Sequence, residues 1–421
     1  MSYIASPVGA DTAAHHSGTP GQPAPGRVVI VSAGVGAGHD GAADQLGRRL
    51  TALGGQVERW DFLDLLPAGT GRLLCSSYHR MLALVPSLYQ RIHDTTGRTG
   101  RPGALQRALL GRAQTRLLHR LPSDTRAVVS TYPLASQTLG ALRRSGRLSV
   151  PAITYLTDFS VHPLWVAPGV DVHLAAHPLP AAEATALGAA GTLVTGPLVD
   201  ERFRPAAADA RRAARARFGL PATGRLALLV AGSWGVGEVA RVAAEVLRSG
   251  AALPVVVCGR NEALRRRLSA QGFRHVHGWV ADMPELMQAA DVLVQNAGGL
   301  TSLEAFASGL PVASYRCLPG HGRTNAAALD EAGLAVWIRE PGQLAAVLAE
   351  LPDGPRGRSQ RAAGRALFAS PGGPAHAVVR AAAPAPVPAA PWIPAPRDAQ
   401  APTHRTAPPG ALTDLAQGGH R

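Results

Sequence analysis

Short unbroken apolar runs alternate with stretches of helical periodicity along most of this chain. The run Val28-Val29-Ile30-Val31 leads into a glycine-rich turn and a helix-like segment over residues 42–53. Further β-rich runs stand at 56–60, 127–131, 152–156 and 192–195. A second series restarts at 226–230 and continues through 254–258, 291–294 and 311–314, with helix-like segments at 239–248, 301–308 and 325–332. Apolar runs without polar alternation predict strands buried on both faces, as in parallel sheets covered by helices. The expected class is α/β, with two Rossmann-like, doubly wound domains facing across a cleft and ligands at the carboxyl ends of the strands. The expected divisions are a disordered segment over 1–26, an N-terminal domain over 27–200, a C-terminal domain over 201–369, and a disordered Pro/Ala-rich tail over 370–421.

Composition changes this picture only slightly. With 46% hydrophobic and 17% charged residues among 421, there is enough apolar material for two cores. The net charge of +14 invites a nucleic-acid or membrane partner, yet the chain has no lysine. Uniform arginine beside abundant Ala, Gly and Pro reads as coding bias, so only the clustering of charge carries weight. Three scattered cysteines argue against a disulfide framework or a zinc site and suit a reducing cytoplasm. The first 26 residues lack a basic region followed by an apolar one, so no signal peptide is expected. No apolar run is long enough to span a bilayer, which leaves a cytoplasmic protein, peripheral at most on the inner face of the membrane.

Candidate chemistry gathers where strands run into glycine-rich turns. Gly34-Val35-Gly36-Ala37-Gly38-His39 follows the first strand, and its glycines Gly36 and Gly38 permit close backbone approach of a ligand. The spacing is not Gly-x-Gly-x-x-Gly, although Asp61 after the second strand keeps a dinucleotide reading open; a P-loop would need a lysine. His39, at the mouth of the cleft, suits a general base, the plainer alternative being a helix-capping or loop-lining histidine. Asn296-Ala297-Gly298-Gly299-Leu300-Thr301-Ser302-Leu303-Glu304 follows another strand. Its glycine pair lets phosphates reach a helix N-terminus, Thr301 adds a hydroxyl, and Glu304 can accept both hydroxyls of a ribose. Thr301-x-x-Glu304 is equally a capping box that needs no ligand. Ala231-Gly232-Ser233-Trp234-Gly235 supplies a second such turn. The chain has no Asp-x-Asp, which disfavours a carboxylate-held metal and leaves backbone amides and Arg260 to neutralise a diphosphate.

Two further segments bear on partners. Arg112, Arg116 and Arg120 recur every fourth residue beside Leu109, Leu110, Leu117 and Leu118, forming a basic amphipathic helix. Upstream, 78–89 is apolar and aromatic-containing. Together they are suited to anionic lipid headgroups, or equally to a plain surface helix. Nucleic acid is not expected, because no aromatics interleave with the arginines.

These residues also resemble a family. Residues 29–39, Tyr155-Leu156-Thr157-Asp158-Phe159 with His162 and Trp165, and Gly196-Pro197-Leu198 before Phe203 look like the N-terminal domain of monogalactosyldiacylglycerol synthases. Cys258-Gly259-Arg260-Asn261, Gly278-Trp279-Val280-Ala281-Asp282-Met283-Pro284, 298–307 and Pro319-Gly320 through Asn325 continue the likeness, which extends to the related peptidoglycan N-acetylglucosamine transferases. It covers about residues 27–350. It implies a GT-B fold, a UDP-sugar donor, no essential metal or cofactor, and inversion at the anomeric carbon. By this resemblance His39 is the base, Glu304 binds the ribose, and Gly298, Gly299 and Thr301 hold the diphosphate. The turn of Gly278, Trp279, Val280 and Met283 frames the uracil, with Ser233 and Arg260 nearby, and Asn325 contacts the sugar. Where the family has a Gln or Glu pair reading sugar hydroxyls, this chain has His321-Gly322-Arg323. Asp40 follows His39 where the family usually has Arg, and Ala37 replaces the middle glycine of the first loop.

The implied function is transfer of a hexose or N-acetylhexosamine from a UDP-sugar to a lipid hydroxyl such as that of diacylglycerol, with an anionic membrane surface as partner. A UDP-sugar epimerase, or a catalytically idle sugar-nucleotide or lipid-binding protein, would share the scaffold.

Overall fold

The computed structural model describes residues 26–99, 104–369 and 372–383. The N-terminal segment up to residue 25 and the tail from 384, both expected to be disordered, lie outside the described residues.

The first six strands are β1 (Arg27–Ser32), β2 (Val57–Asp61), β3 (Thr125–Ser130), β4 (Ala152–Tyr155), β5 (Val172–Ala175) and β6 (Thr192–Val194). They form one parallel sheet in the order β2-β1-β3-β4-β5-β6. The next six are β7 (Leu226–Val230), β8 (Leu253–Val257), β9 (Val276–His277), β10 (Val292–Gln295), β11 (Val312–Tyr315) and β12 (Val336–Ile338). They form a second parallel sheet ordered β12-β11-β10-β7-β8-β9. This is the doubly wound arrangement expected, twice over. Three short strands, β5, β9 and β12, were not anticipated; β9 has only two residues and β12 three, and the four of β5 are interrupted by His173.

The central strands are mainly apolar because both of their faces are covered. In β1, Val29 and Val31 pack with Trp60, Leu117 and Leu139, whereas Val28 and Ile30 pack on the opposite layer with Leu46 and Leu50. The second sheet repeats the plan, with Leu228 and Leu293 in one layer and Leu229 and Val294 in the other. The stretch from 370 requires a correction, since the helix Gly373–Ala382 belongs to the core. It buries Ala375, Ala377 and Val378 against the first sheet beside Leu46. Composition suggested a tail there, but the apolar residues are spaced to make one helical face.

In each sheet the strand order reverses at one point, between β1 and β3 and between β7 and β10. Connections leave such a switch point in opposite directions and open a crevice at the carboxyl ends of the strands. The glycine-rich turns after β1, β7 and β10 all sit at these two crevices.

Candidate active site

A cavity of about 1070 Å³ lies between the two sets of strand ends. Its walls include Gly36, Gly38, His39, Ser233, Arg260, Trp279, Val280, Met283, Gly298, Gly299, Thr301, Glu304 and His321. Of the residues singled out in the sequence, Gly278 and Asn325 are not in its wall.

On the first wall, the helix Ala37–Ala52 begins at the cavity with Gly36 as its cap, so His39 does not cap it. The His39 Nδ1 lies 3.1 Å from Thr157 Oγ1, and the ring meets Tyr132 edge-on at 5.3 Å between centroids. Burial lowers its pKa below the ordinary imidazole value, partly opposed by the nearby Asp158. The imidazole is thus held neutral and oriented, as proton abstraction requires. Asp40, next in sequence, accepts from Ser32 Oγ at 2.6 Å. Asp61 receives the amides of Gly34 at 3.2 Å and Leu63 at 2.8 Å, so both its oxygens serve the backbone, contrary to the ribose role a dinucleotide site would give it.

On the facing wall, Gly298 has φ +76°, and a Cβ there would sit 2.6 Å from Asn325 Cβ, so only glycine fits. Its amide and that of Ala297 (2.7 Å) both donate to Gln295 Oε1, which fixes the turn. The helix Leu300–Ala307 is capped by Gly299 without a side-chain hydrogen bond, so the Thr301–Glu304 capping box does not form. Its first amides, lacking intrahelical acceptors, open toward the cavity. Among the described residues neither Thr301 nor Glu304 has a side-chain hydrogen bond, although both line the cavity. Burial, with Asp200 adding to it, pushes the Glu304 carboxyl up to about 8. Arg260 stacks over Trp279 at 4.7 Å, and its amide donates to Ser233 O at 2.8 Å, joining its own turn to those of Trp279 and Ser233.

Between the walls runs a bridge that sequence reasoning placed wrongly or missed. Asn325 was expected at the sugar, but it is fully buried with its whole carboxamide engaged. Its oxygen accepts the amides of Phe159 (2.9 Å) and Ser160 (2.8 Å), and its nitrogen donates to Ala297 O (3.1 Å) and Asp158 Oδ1 (3.3 Å). Asn325 is therefore a clasp between domains. Asp158 also accepts from Trp165 Nε1 at 3.1 Å, and it raises the pKa of both His39 and His321 against burial. His321 Nδ1 lies 2.9 Å from the Tyr89 hydroxyl of the opposing domain. Asp158 stood in the sequence only within the resemblance over 155–159, and Tyr89 only as the end of the apolar stretch 78–89; neither was given a role in the site.

The helix Ala104–Arg120 packs Leu110 and Leu117 into the first core, with Arg116 bonded to Leu66 O and Arg120 over Trp60 at 4.8 Å. The exposed apolar surface lies instead on the helices Thr70–Leu84 and Pro86–Thr99 and the residue between them, at Leu73, Val85, Leu88 and Ile92. No described helix is long and apolar enough to cross a membrane.

Two family models match the chain side by side. That of monogalactosyldiacylglycerol (MGDG) synthase matches residues 39–195, and that of glycosyl transferases group 1 matches 222–353. The processive diacylglycerol beta-glucosyltransferase of Bacillus subtilis (strain 168) is 27% identical over 219 residues, 50% of this chain and 56% of that protein. Its counterpart from Bacillus mycoides (strain KBAB4) is 30% identical over 225 residues, 52% and 57% of the two chains. The match spans a little over half the length of these relatives. Among solved structures, MurG of Acinetobacter baumannii superposes with a TM-score of 0.51 at 17% identity, over 85% of this chain and 98% of that one. UGT71G1 of Medicago truncatula, complexed with UDP-glucose, superposes with a TM-score of 0.54 at 13% identity, over 84% and 97%. These likenesses make the fold GT-B.

Proposed function

We propose that this chain, a GT-B protein related to monogalactosyldiacylglycerol synthases and MurG-like peptidoglycan glycosyltransferases, is an inverting, UDP-sugar-dependent glycosyltransferase acting on a lipid hydroxyl. The observation that carries this reading is the pair of walls. A neutral, oriented His39 faces a helix N-terminus whose Thr301 and Glu304 side chains have no partner among the described residues. Glu304 would take the ribose hydroxyls. The opening amides of the helix Leu300–Ala307, with Arg260, would meet the diphosphate as negative charge develops on it. Trp279, Val280 and Met283 would frame the uracil.

The chemistry follows from this placement. His39 removes the proton from the acceptor hydroxyl while the oxygen attacks the anomeric carbon from the face opposite the diphosphate. The C–O bond to UDP breaks, the configuration inverts, and UDP leaves with the electron pair. Holding both substrates in one cleft supplies much of the rate. The lipid character of the acceptor is supported by Leu74, Met81, Leu82, Ile92 and Leu164 along the His39 side of the cavity. The named activity of the Bacillus relatives, on diacylglycerol, points the same way. Exposed Leu73, Val85, Leu88 and Ile92 would rest on an anionic membrane.

The test is UDP release from UDP-glucose, UDP-galactose and UDP-N-acetylglucosamine, with and without diacylglycerol vesicles. Release from one donor that depends on vesicles is expected. Donor conversion without an acceptor would point to an epimerase, and binding without consumption to an idle protein.

A further inference from the structure

The connection from β11 to the helix His321–Glu331 contains the one non-glycine residue with positive φ among those described, Arg316 at 46°. An L-residue in this region crowds its Cβ against the carbonyl oxygen, so the conformation persists only where the surroundings impose it. Here they do. Arg316 grips Glu245 of the helix Val239–Arg248 with two bonds, Nε to Oε2 at 2.7 Å and Nη2 to Oε1 at 2.6 Å. Nη1 reaches Glu238 at 3.3 Å, and the Tyr315 hydroxyl donates to Glu245 Oε2 at 2.8 Å. The side chains of the pair are only 13% and 14% exposed, so salt screens them little; without Arg316, Glu245 would keep Arg241 at 3.2 Å, and without Glu245, Arg316 would keep Glu238.

What this pair holds in place is the sugar side of the cleft. Two residues on, the Leu318 amide donates to Asn296 O at 2.8 Å. The Gly320 amide then donates to Gln90 Oε1 of the opposing domain at 2.7 Å, and His321 meets Tyr89. Five residues of loop thus run from a clamped, strained start to a bridge between domains. Of these attachments only that of Leu318 to Asn296 O reaches the start of the turn that runs to Glu304; those to Gln90 and Tyr89 lie away from Gly299 to Glu304, where the nucleotide would sit.

We infer that Arg316 and Glu245 are positioning residues whose ion pair holds the β11 loop in the shape that presents His321 to the cleft and to Tyr89, so that the sugar end of the donor is gripped separately from its nucleotide. This rests on the glycosyltransferase reading for the identity of the donor, but not for the behaviour of the loop.

The experiment uses the full chain carrying Arg316→Ala, Arg316→Gly or Glu245→Gln. It combines kinetics on the three UDP-sugars with diacylglycerol vesicles, calorimetry with UDP alone, and amide hydrogen exchange at Gly320. Arg316→Ala and Glu245→Gln should raise the KM for UDP-sugar by about tenfold or more while the Kd for UDP changes less than about twofold. Exchange at Gly320 should quicken in both. Arg316→Gly takes up the left-handed turn without strain, so its KM should lie between those of wild type and Arg316→Ala. Unchanged Gly320 exchange in Arg316→Ala, or a parallel loss of UDP and UDP-sugar binding, would overturn the inference. A wild-type chain that consumes no UDP-sugar would instead overturn the transferase reading and leave the exchange result standing.

Discussion

Two glycine-rich turns face each other across the cleft, one after β1 and one after β10, and they differ in what their glycines do. In the turn after β10, Gly298 is locked by its left-handed backbone and by Asn325 pressing on its missing side chain. In the turn after β1, Gly38 lies within the helix Ala37–Ala52, where a Cβ would make only ordinary contact with Leu300 at 3.9 Å. The carboxylates differ as well. Asp40 is tied to Ser32, whereas Glu304 lines the cavity with no side-chain hydrogen bond among the described residues. One turn carries a reactive imidazole on a permissive backbone; the other is a rigid cradle. Similar sequence signatures thus separate into a permissive backbone on one wall and a locked one on the other, which the proposed reading uses for chemistry and for grip.

The most severe way to break this contrast is His39→Ala. It should lower kcat by about 10²–10⁴-fold, the range for loss of a general base, with UDP affinity measured by calorimetry unchanged. Comparable loss of UDP binding would place the histidine in the grip instead. For the wild type, acidification through the lowered imidazole pKa should protonate the base and reduce turnover.

A stability comparison gives the next effect. Gly298→Ala should destabilise the fold by about 1–3 kcal/mol, from an L-residue at φ +76° and contact with Asn325. Gly38→Ala should be neutral or stabilising by up to about 1 kcal/mol, because alanine suits a helix better than glycine. Urea denaturation of the two variants reads the sign directly.

The last effect concerns Glu304 and depends on pH. Its carboxyl is pushed up to about 8 in the folded chain, against about 4.3 for an unperturbed glutamate. The folded state therefore holds a proton that the unfolded state releases. The resulting stability is complete below about pH 4.3 and is lost as pH rises toward about 8. Glu304→Gln should remove this dependence, melting a few degrees above wild type at about pH 9 and close to it at about pH 5. The carboxylate is the form that accepts ribose hydroxyls, so UDP affinity of the wild type should rise with pH over the same window and that of the variant should not. Equal pH profiles for the two proteins would remove Glu304 from the grip.

Much of the fold was legible because burial on both faces leaves continuous apolar runs, and β1, β3, β7 and β10 each show one. The strands β5, β9 and β12 were not legible. In β5, the buried His173 interrupts a run only four residues long. The helix Gly373–Ala382 was hidden for a different reason, since Ala and Pro dominate both it and the chain beyond. Within the site, the residues near glycine-rich turns were found because backbone constraints mark the local sequence. The contacts of Tyr89, Asp158 and Asn325 across the cleft left no such mark. Tyr89 and His321 stand 232 positions apart, and Asn325 and Asp158 stand 167 apart.

The sequence by itself determined two doubly wound sheets and the turns at their switch points, since apolar patterning and glycine placement are local consequences of burial and backbone sterics. Only the tertiary structure decided that Asn325 clasps the domains, that Asp61 serves the backbone, and that Glu304 has no side-chain partner among the described residues while Arg316 is clamped. Each of those outcomes depends on which hydrogen-bonding partner arrives from a distant part of the chain. Partner choice across a cleft is set by packing geometry, not by neighbouring residues.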